Sequence, residues 1–471
     1  MAALGPSGLF HSQGVCDRRP RQLLSKHTIS PGARRARSAF RGRSPVKVQA
    51  ATPQQVLHEL PLPTGDWTCN IPVLGETLLF TADPAKWSRE RMARHGPVFQ
   101  SHILGKPTVI VGDLVNWQKV LSTDFKHVGQ YFTESFAKAS GVAVVADKNQ
   151  HAFQRKAIAH AFEPEAMASY LPFMRGILHR YLDIWAAMPA GVDLRSAGRK
   201  LGFEFAAALV LGRELDESTR DRMSEHYAAV MNAFFTIPVD LPFTPFGKAM
   251  ASRNAIQTWI RDEFLDEAQQ YMVTKQIQGR RGIIHSFLDA REPQNAKDAL
   301  LAQQIMDQIQ TTILAGNDTT ATGMISLLGL WPQLPQRVKE KLREEQNEVR
   351  GKYGDELGAK AMAAMPYALS TVKEIMRILP TAAGIFRVAL EDFELAGKLI
   401  RKGSSTRPAL AVWGMGPHVC QGIPLFYQEA KMLLAILTRS YDVVNLSGPF
   451  EWNLLPVVSP KTPVTIAIKA C

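Results

Sequence analysis

Cysteine is scarce: Cys16, Cys69, Cys420 and Cys471 are the only four in 471 residues, far apart and without a CxxC pair. That excludes a disulfide scaffold and a cysteine-built zinc or iron–sulfur site, and it fits a reducing compartment. No run of eighteen apolar residues occurs, so no transmembrane anchor is expected. No internal repeat or domain-sized linker appears, and strands do not alternate with helices, which argues against a doubly wound sheet. No glycine motif of the dinucleotide-binding kind follows a predicted strand, so electrons would have to come from elsewhere. Acids are nearly missing from residues 1–50, which hold ten Lys/Arg and only Asp17. That segment carries +9 of the total +12, leaving +3 for residues 51–471, so the body is no nucleic-acid binder by charge. Residues 1–50 are also Arg- and Ser-rich without a continuous apolar core, the composition of an organellar transit peptide with a processing region near Ala50. The bland alternative is a disordered basic tail.

What is present points to one large domain over residues 51–471, mainly α with a small β part. "LPLPTGDWTCNIPVLGETLLF" (60–80) reads as an extended, Pro/Gly-punctuated lead-in, and "PVFQSHILGKPTVIVGD" (97–113) as a β-hairpin. From Asn116 to about Ala382 apolar residues recur at three and four, the helical spacing. "TIPVDLPFTPFG" (236–247) is a proline-broken loop, "RVKEKLREEQNEV" (337–349) a charged surface helix, and 386–403 a return to strand and turn.

Four pieces carry chemistry. The first is "AVWGMGPHVCQG" (411–422), where Gly414, Gly416 and Gly422 surround Cys420 ahead of a helical run through Leu425, Glu429, Leu433 and Leu437. A lone cysteine is usually a small core hydrophobe. A glycine loop entering a helix N-terminus instead offers free amides and a dipole that stabilise a thiolate, and one protein thiolate is a way to hold haem iron. The second is "ILAGNDTTATGMISLL" (313–328), an apolar helix with Gly, Asn, Asp and Thr at its middle, all weak helix formers. Thr319 could bond the Ala315 carbonyl and loosen the helix, letting water and a hydroxyl relay protons; a satisfied polar patch is the plainer reading. The third is "TVKEIMRILP" (371–380), with Glu374 and Arg377 on one helical face, and the fourth places His151 and Arg155 four apart, suited to an anion or to solvent.

In this order the four pieces resemble the signature set of the cytochrome P450 monooxygenases, over about Leu60 to Ile468. The Cys loop is similar to Phe-x-x-Gly-x-Arg-x-Cys-x-Gly, with Trp413 for Phe, Gly416 matching, His418 for Arg, and Cys420 and Gly422 matching. Glu429 matches the acid of the next helix, "AGNDTT" matches Ala/Gly-Gly-x-Asp/Glu-Thr-Thr, and "EIMR" matches Glu-x-x-Arg. The resemblance implies the P450 fold and a haem b with Cys420 as axial thiolate. Asp318 and Thr319 would deliver protons to the reacting oxygen. His151, Arg155, His418 and Arg387 would hold the haem propionates, and the Glu374–Arg377 pair would tie its helix to the region beneath the haem. It further implies insertion of one atom of O2 into an apolar substrate, with a ferredoxin system as external electron donor. Residues 60–77 and 239–253 are similar to segments of the branch holding retinoic-acid hydroxylases, cyanobacterial relatives and plant sterol and triterpenoid oxidases. An isoprenoid substrate and a chloroplast location, stromal or peripheral to a membrane, follow as expectations, with the mitochondrion as the alternative.

The chain also departs from the pattern. Glu374 and Cys420 are only 46 residues apart, and the family's His-x-Asp-Pro segment and Pro-Glu-Arg-Phe-like meander are absent between Gly403 and Trp413. A missing exon would explain the gap as well as evolution. The meander's arginine normally serves the Glu374–Arg377 pair, so a buried charge left without a partner is expected unless Arg407 substitutes. Two further readings follow: a P450-fold isomerase or dehydratase that does not use O2, and a catalytically incompetent relative.

Overall fold

The hairpin expected over 97–113 forms as antiparallel β1 (Val98–Ile103) and β2 (Lys106–Val111), in register from Val98 opposite Val111 to Ile103 opposite Lys106. Period-two alternation puts Val98, Val109 and Val111 into one buried cluster with Trp117, Val120 and Leu121 of the following helix. β3 (Val128–Gln130), β4 (Arg387–Ala389) and β5 (Ser405–Pro408) complete a five-stranded sheet in the order β1-β2-β5-β4-β3. β5 runs parallel to β2 and antiparallel to β4. The short stretch after Gly403 is therefore a central strand, not a free connection. Arg407 sits on that strand opposite Ile110, with its side chain outside the described residues. The strand-and-turn segment also holds Phe393–Leu395 paired with Lys398–Ile400. Ala396 and Gly397 close it, both at positive φ, as a tight two-residue hairpin loop requires.

The computed structural model describes residues 57–66, 75–103, 106–141, 148–277, 279–292, 298–382, 384–408, 413–455 and 457–471. The segment read as a transit peptide lies outside them, as do Cys16 and Cys69. Helices dominate from Leu114 to Ile378, as the apolar spacing predicts. Those that matter for the site are α1 (Lys148–Ala159), α2 (Leu194–Leu211), α3 (Ala299–Leu330), α4 (Pro366–Ile378) and α5 (Ile423–Ser440). No helix among the described residues is long and apolar enough to cross a membrane.

The lead-in over 60–80 departs from its sequence reading at one end. Thr77–Ala82 is a short helix, because "TLLFTA" holds no breaker and buries Phe80. Buried Glu76 sits just ahead of it, accepting from Arg91 Nε at 3.1 Å and Ser101 Oγ at 2.5 Å. The 236–247 loop gives way to helix at Pro245, where the Thr244 hydroxyl caps the Gly247 N–H at 3.0 Å.

α3 is 32 residues long, about 48 Å at the helical rise. It runs unbroken through "GNDTT" because packing overrides propensity. A Cβ on Gly198 of α2 would come within 2.2 Å of Ile325 Cγ1, and one on Gly202 within 2.6 Å of Ala321 Cβ and 2.7 Å of the Asn317 carbonyl. Glycines four apart thus let α2 press directly on Asn317, Ala321 and Ile325 of α3, which share one face by the same spacing. The backing by α2 fixes which face of α3 is left for a cavity.

Candidate active site

Trp413–Gly422 is a closed loop. The Cys420 N–H donates to the Trp413 carbonyl at 2.8 Å and the Val419 N–H to the Gly416 carbonyl at 3.1 Å, around a single 3₁₀ turn at Gly416–His418. Gly416 has φ +66°, and a Cβ there would lie 2.4 Å from the Leu121 carbonyl. Any other residue would be strained and would push the loop off the helix Leu114–Ser122, which carries Leu121. Gly422 caps α5, and Trp413 Nε1 donates to the Tyr427 hydroxyl at 3.0 Å. Burial raises the Cys420 thiol pKa, while the Gly422 N–H, the Arg155 cation and the Ile423 N–H oppose it. Cys420 is exposed and lines a partly open cavity of about 450 Å³, within the range of pockets that take small ligands.

The cavity gathers several of the residues singled out in the sequence: His151 and Arg155 from α1, Thr319 from α3, and Trp413, His418, Cys420 and Gly422 from the loop. Asp318, Gly416, Arg387, Glu374 and Arg377 are not in its wall. Thr319 presents its surface to the cavity, and its hydroxyl donates to the Ala315 carbonyl at 2.6 Å, the bond expected from the sequence. The helix does not open there. Asp318, one residue earlier, turns to another face of α3 and is 7% exposed, with Oδ2 lacking a hydrogen-bond partner among the described residues. Burial pushes its pKa up to about 6 against the pull of Arg199.

Arg387 and His418 are arranged around a carboxylate that the sequence did not announce. Asp124, just past the helix Leu114–Ser122, accepts from Arg387 Nε at 2.7 Å and Nη2 at 3.1 Å and lies 2.9 Å from His418 Nδ1. Burial pushes the Asp124 pKa up, but the bonds from His418 and Arg387 prevail and hold it below the usual carboxylate range. Arg387 is thus committed to Asp124, whereas His418 is shared between Asp124 and the cavity. His418 Nε2 is buried without a partner among the described residues. His418 stacks on Phe125 at 4.9 Å and lies 4.2 Å from His151. Burial first, then His418 and Arg155, drive the His151 pKa down to about 4, so in this state it is a neutral ring. Arg155 therefore supplies a permanent positive charge to the wall, its pKa lowered by burial and raised by Cys420.

Glu429 is buried and also reaches the cavity wall, accepting from Thr320 Oγ1 at 3.3 Å, with burial raising its pKa to about 8. The Glu374–Arg377 pair lies elsewhere, on the outer face of α4. Arg377 donates from Nε at 2.8 Å and Nη2 at 2.7 Å to Glu374, with side chains 68% and 31% exposed. This corrects the expectation of a buried charge stripped of its partner. Both groups are open to solvent and satisfied by each other.

The donor set suits the haem that the sequence implies. No three His, Cys, Asp or Glu side chains gather as a metal site among the described residues. A macrocycle that brings its own ring of donors needs one protein ligand, and Cys420 offers one, with Arg155 and the unpartnered His418 Nε2 beside it for an anionic edge.

Comparison with known proteins gives one family. The family model described as Cytochrome P450 matches residues 65–411, ending two residues before Trp413. Cytochrome P450 26A1 of Xenopus laevis is 27% identical over 353 residues, covering 73% of this chain and 70% of that protein. The putative cytochrome P450 120 of Synechocystis is 28% identical, covering 74% and 75%. Among solved structures, the retinoic-acid-bound cyanobacterial CYP120A1 superposes with a TM-score of 0.76 at 24% identity, over 88% of this chain and all of that one.

Proposed function

The chain belongs to the cytochrome P450 family, and from that membership we propose that Cys420 is its haem ligand and that an isoprenoid is the substrate into which it inserts one atom of O2. Members of the family are oxidoreductases that bind haem through a cysteine thiolate, act on apolar substrates and draw electrons from an external donor. Haem, when bound, supplies the activation of O2 and the transfer of one oxygen atom. The carrying observation is that the Cys420 thiol and the Thr319 hydroxyl open into the same cavity.

The chain's own residues divide the remaining work. The Gly422 and Ile423 N–H groups and the N-terminus of α5 favour the charged form of the Cys420 sulfur. Arg155 and His418 take the anionic edge of the cofactor, with Asp124 holding the His418 ring in place. The Thr319 hydroxyl holds a proton at the cavity surface. Asp318, with a pKa of about 6, can hold or release one behind it near neutral pH. The fold shared with a retinoic-acid-bound protein and the lead-in and loop segments quoted above support an isoprenoid substrate. Residues 1–50 support a plastid, where a ferredoxin system would be the electron donor.

The test is the ferrous–CO difference spectrum of the protein lacking residues 1–50. The strongly red-shifted Soret band of thiolate-ligated haem is expected from the native chain and not from Cys420→Ala. A histidine-type band, or no haem, in the native chain would overturn the assignment.

A further inference from the structure

The face of α3 turned to the cavity changes character along its length. Gln304, Asp307 and Gln308 line one end, Thr312 follows, and Ala315 and Thr319 line the other. Their spacing of three and four makes this one continuous stripe. Asp307 and Thr319 are twelve residues apart, about 18 Å along the helix. Thr320 donates to Glu429 of α5 at 3.3 Å, so Cys420, just ahead of α5, belongs with the Thr319 end.

The far end is built, not incidental. Asp307 Oδ1 accepts from Gln303 Nε2 at 2.9 Å and from Gln257 Nε2 at 3.3 Å, so both bonds fall on one oxygen and Oδ2 accepts none among the described residues. The Gln308 amide donates to Thr312 Oγ1 at 2.9 Å, and that hydroxyl donates to the Gln308 backbone carbonyl at 2.7 Å. Asp307 is half-buried, and burial holds its pKa above the usual carboxylate value although Gln303, Arg253 and Gln257 pull it down. Arg253 is close enough to act on Asp307 but does not line the cavity, so the charge presented there is acidic. The cavity's cation is at the other end, where Arg155 acts electrostatically on Cys420.

We propose that Asp307 is a specificity-determining residue that takes the hydroxyl end of an elongated isoprenoid alcohol and turns away the corresponding carboxylic acid. The inference rests on the monooxygenase reading above and narrows its substrate class. An alcohol donates its O–H to the Asp307 carboxylate, and its own oxygen can accept from the Gln308 amide. A carboxylate has only acceptors and would add a second negative charge beside the first in a half-buried wall. Anchored at Asp307, the apolar chain runs along Thr312 and Ala315 and places its far carbons near Thr319. A site that hydrogen-bonds one end of a ligand rejects the analogue that leaves its buried polar group unpaired.

The test is equilibrium binding to the haem-loaded protein, read by quenching of tryptophan fluorescence, with all-trans-retinol and all-trans-retinoic acid as a matched pair. Retinol is expected to bind at least about tenfold more tightly than the acid at neutral pH. Asp307→Asn, which keeps the shape and the contacts to Gln303 and Gln257, should bring the two within about threefold, chiefly by improving the acid. Asp307→Glu should keep the preference. Equal or tighter binding of the acid to the native protein, or a ratio unchanged in Asp307→Asn, would overturn the inference and leave the monooxygenase reading standing. Binding of neither ligand to a protein with a normal CO spectrum would overturn this inference and the isoprenoid reading together, but not Cys420 ligation.

Discussion

Glu429 is the residue whose chemistry differs most from what its letter suggests. It lies wholly inside α5, with one hydrogen bond from Thr320, and burial lifts its pKa to about 8. Its folded pKa is above its unfolded one, so the native state holds the proton more firmly. The resulting stability is fully present below the unfolded pKa of about 4.3 and is lost as pH rises toward 8. Glu429→Gln removes the ionisable group and keeps the shape. In urea unfolding at several pH values the variant should match the native protein near pH 4 and exceed it by on the order of 4 kcal/mol at pH 8. A stability difference that does not grow with pH would show that Glu429 ionises freely in the fold. The sequence marks Glu429 as a motif position, but burial alone sets its protonation. Asp124 gave no sequence signal, because its partners Arg387 and His418 stand 263 and 294 residues away along the chain. Cys420, Thr319 and Arg155 were legible because glycine spacing, an anomalous helix centre and helical periodicity are local patterns.

At the scale of elements, local rules read some parts well and mislead at others. The hairpin of β1 and β2 follows from alternation, and α5 from the loop glycines and the apolar run behind them. The centre of α3 was legible as unusual, yet not as unbroken, since its continuity comes from Gly198 and Gly202 on a helix about 120 residues away in sequence. The α4 pair was legible as a pair, but its exposure was not, since which face of a helix meets solvent is set by tertiary packing. An exposed pair three residues apart contributes little, so Glu374→Ala with Arg377→Ala should lower stability by less than about 1 kcal/mol in urea unfolding. Haem content should be unchanged. Loss of haem in the double variant would mean that the pair does organise the region beneath the cofactor.

For the whole molecule, family membership was legible because four motifs occur in one order, while the sheet order was not. β5 lies between β2 and β4, and that pairing joins segments about 300 residues apart, beyond the reach of any window. Charge is the other whole-chain property: +9 on the first fifty residues and +3 on the rest. If residues 1–50 are a plastid address, a fusion of that segment to a fluorescent protein should enter isolated chloroplasts and be shortened near Ala50. Import into mitochondria alone would reassign the compartment, and import into neither would leave a basic tail. The glycine seam between α2 and α3 bears on motion as well as packing. α2 is buried without a break from Leu201 to Leu211, so α3 cannot unwind around Thr319 without parting from the densest part of the core. Local opening there would expose those buried contacts and so belongs to the costlier openings of the fold. The backbone beside the cavity is therefore braced by the seam, which favours side chains and water over backbone opening as the route across α3.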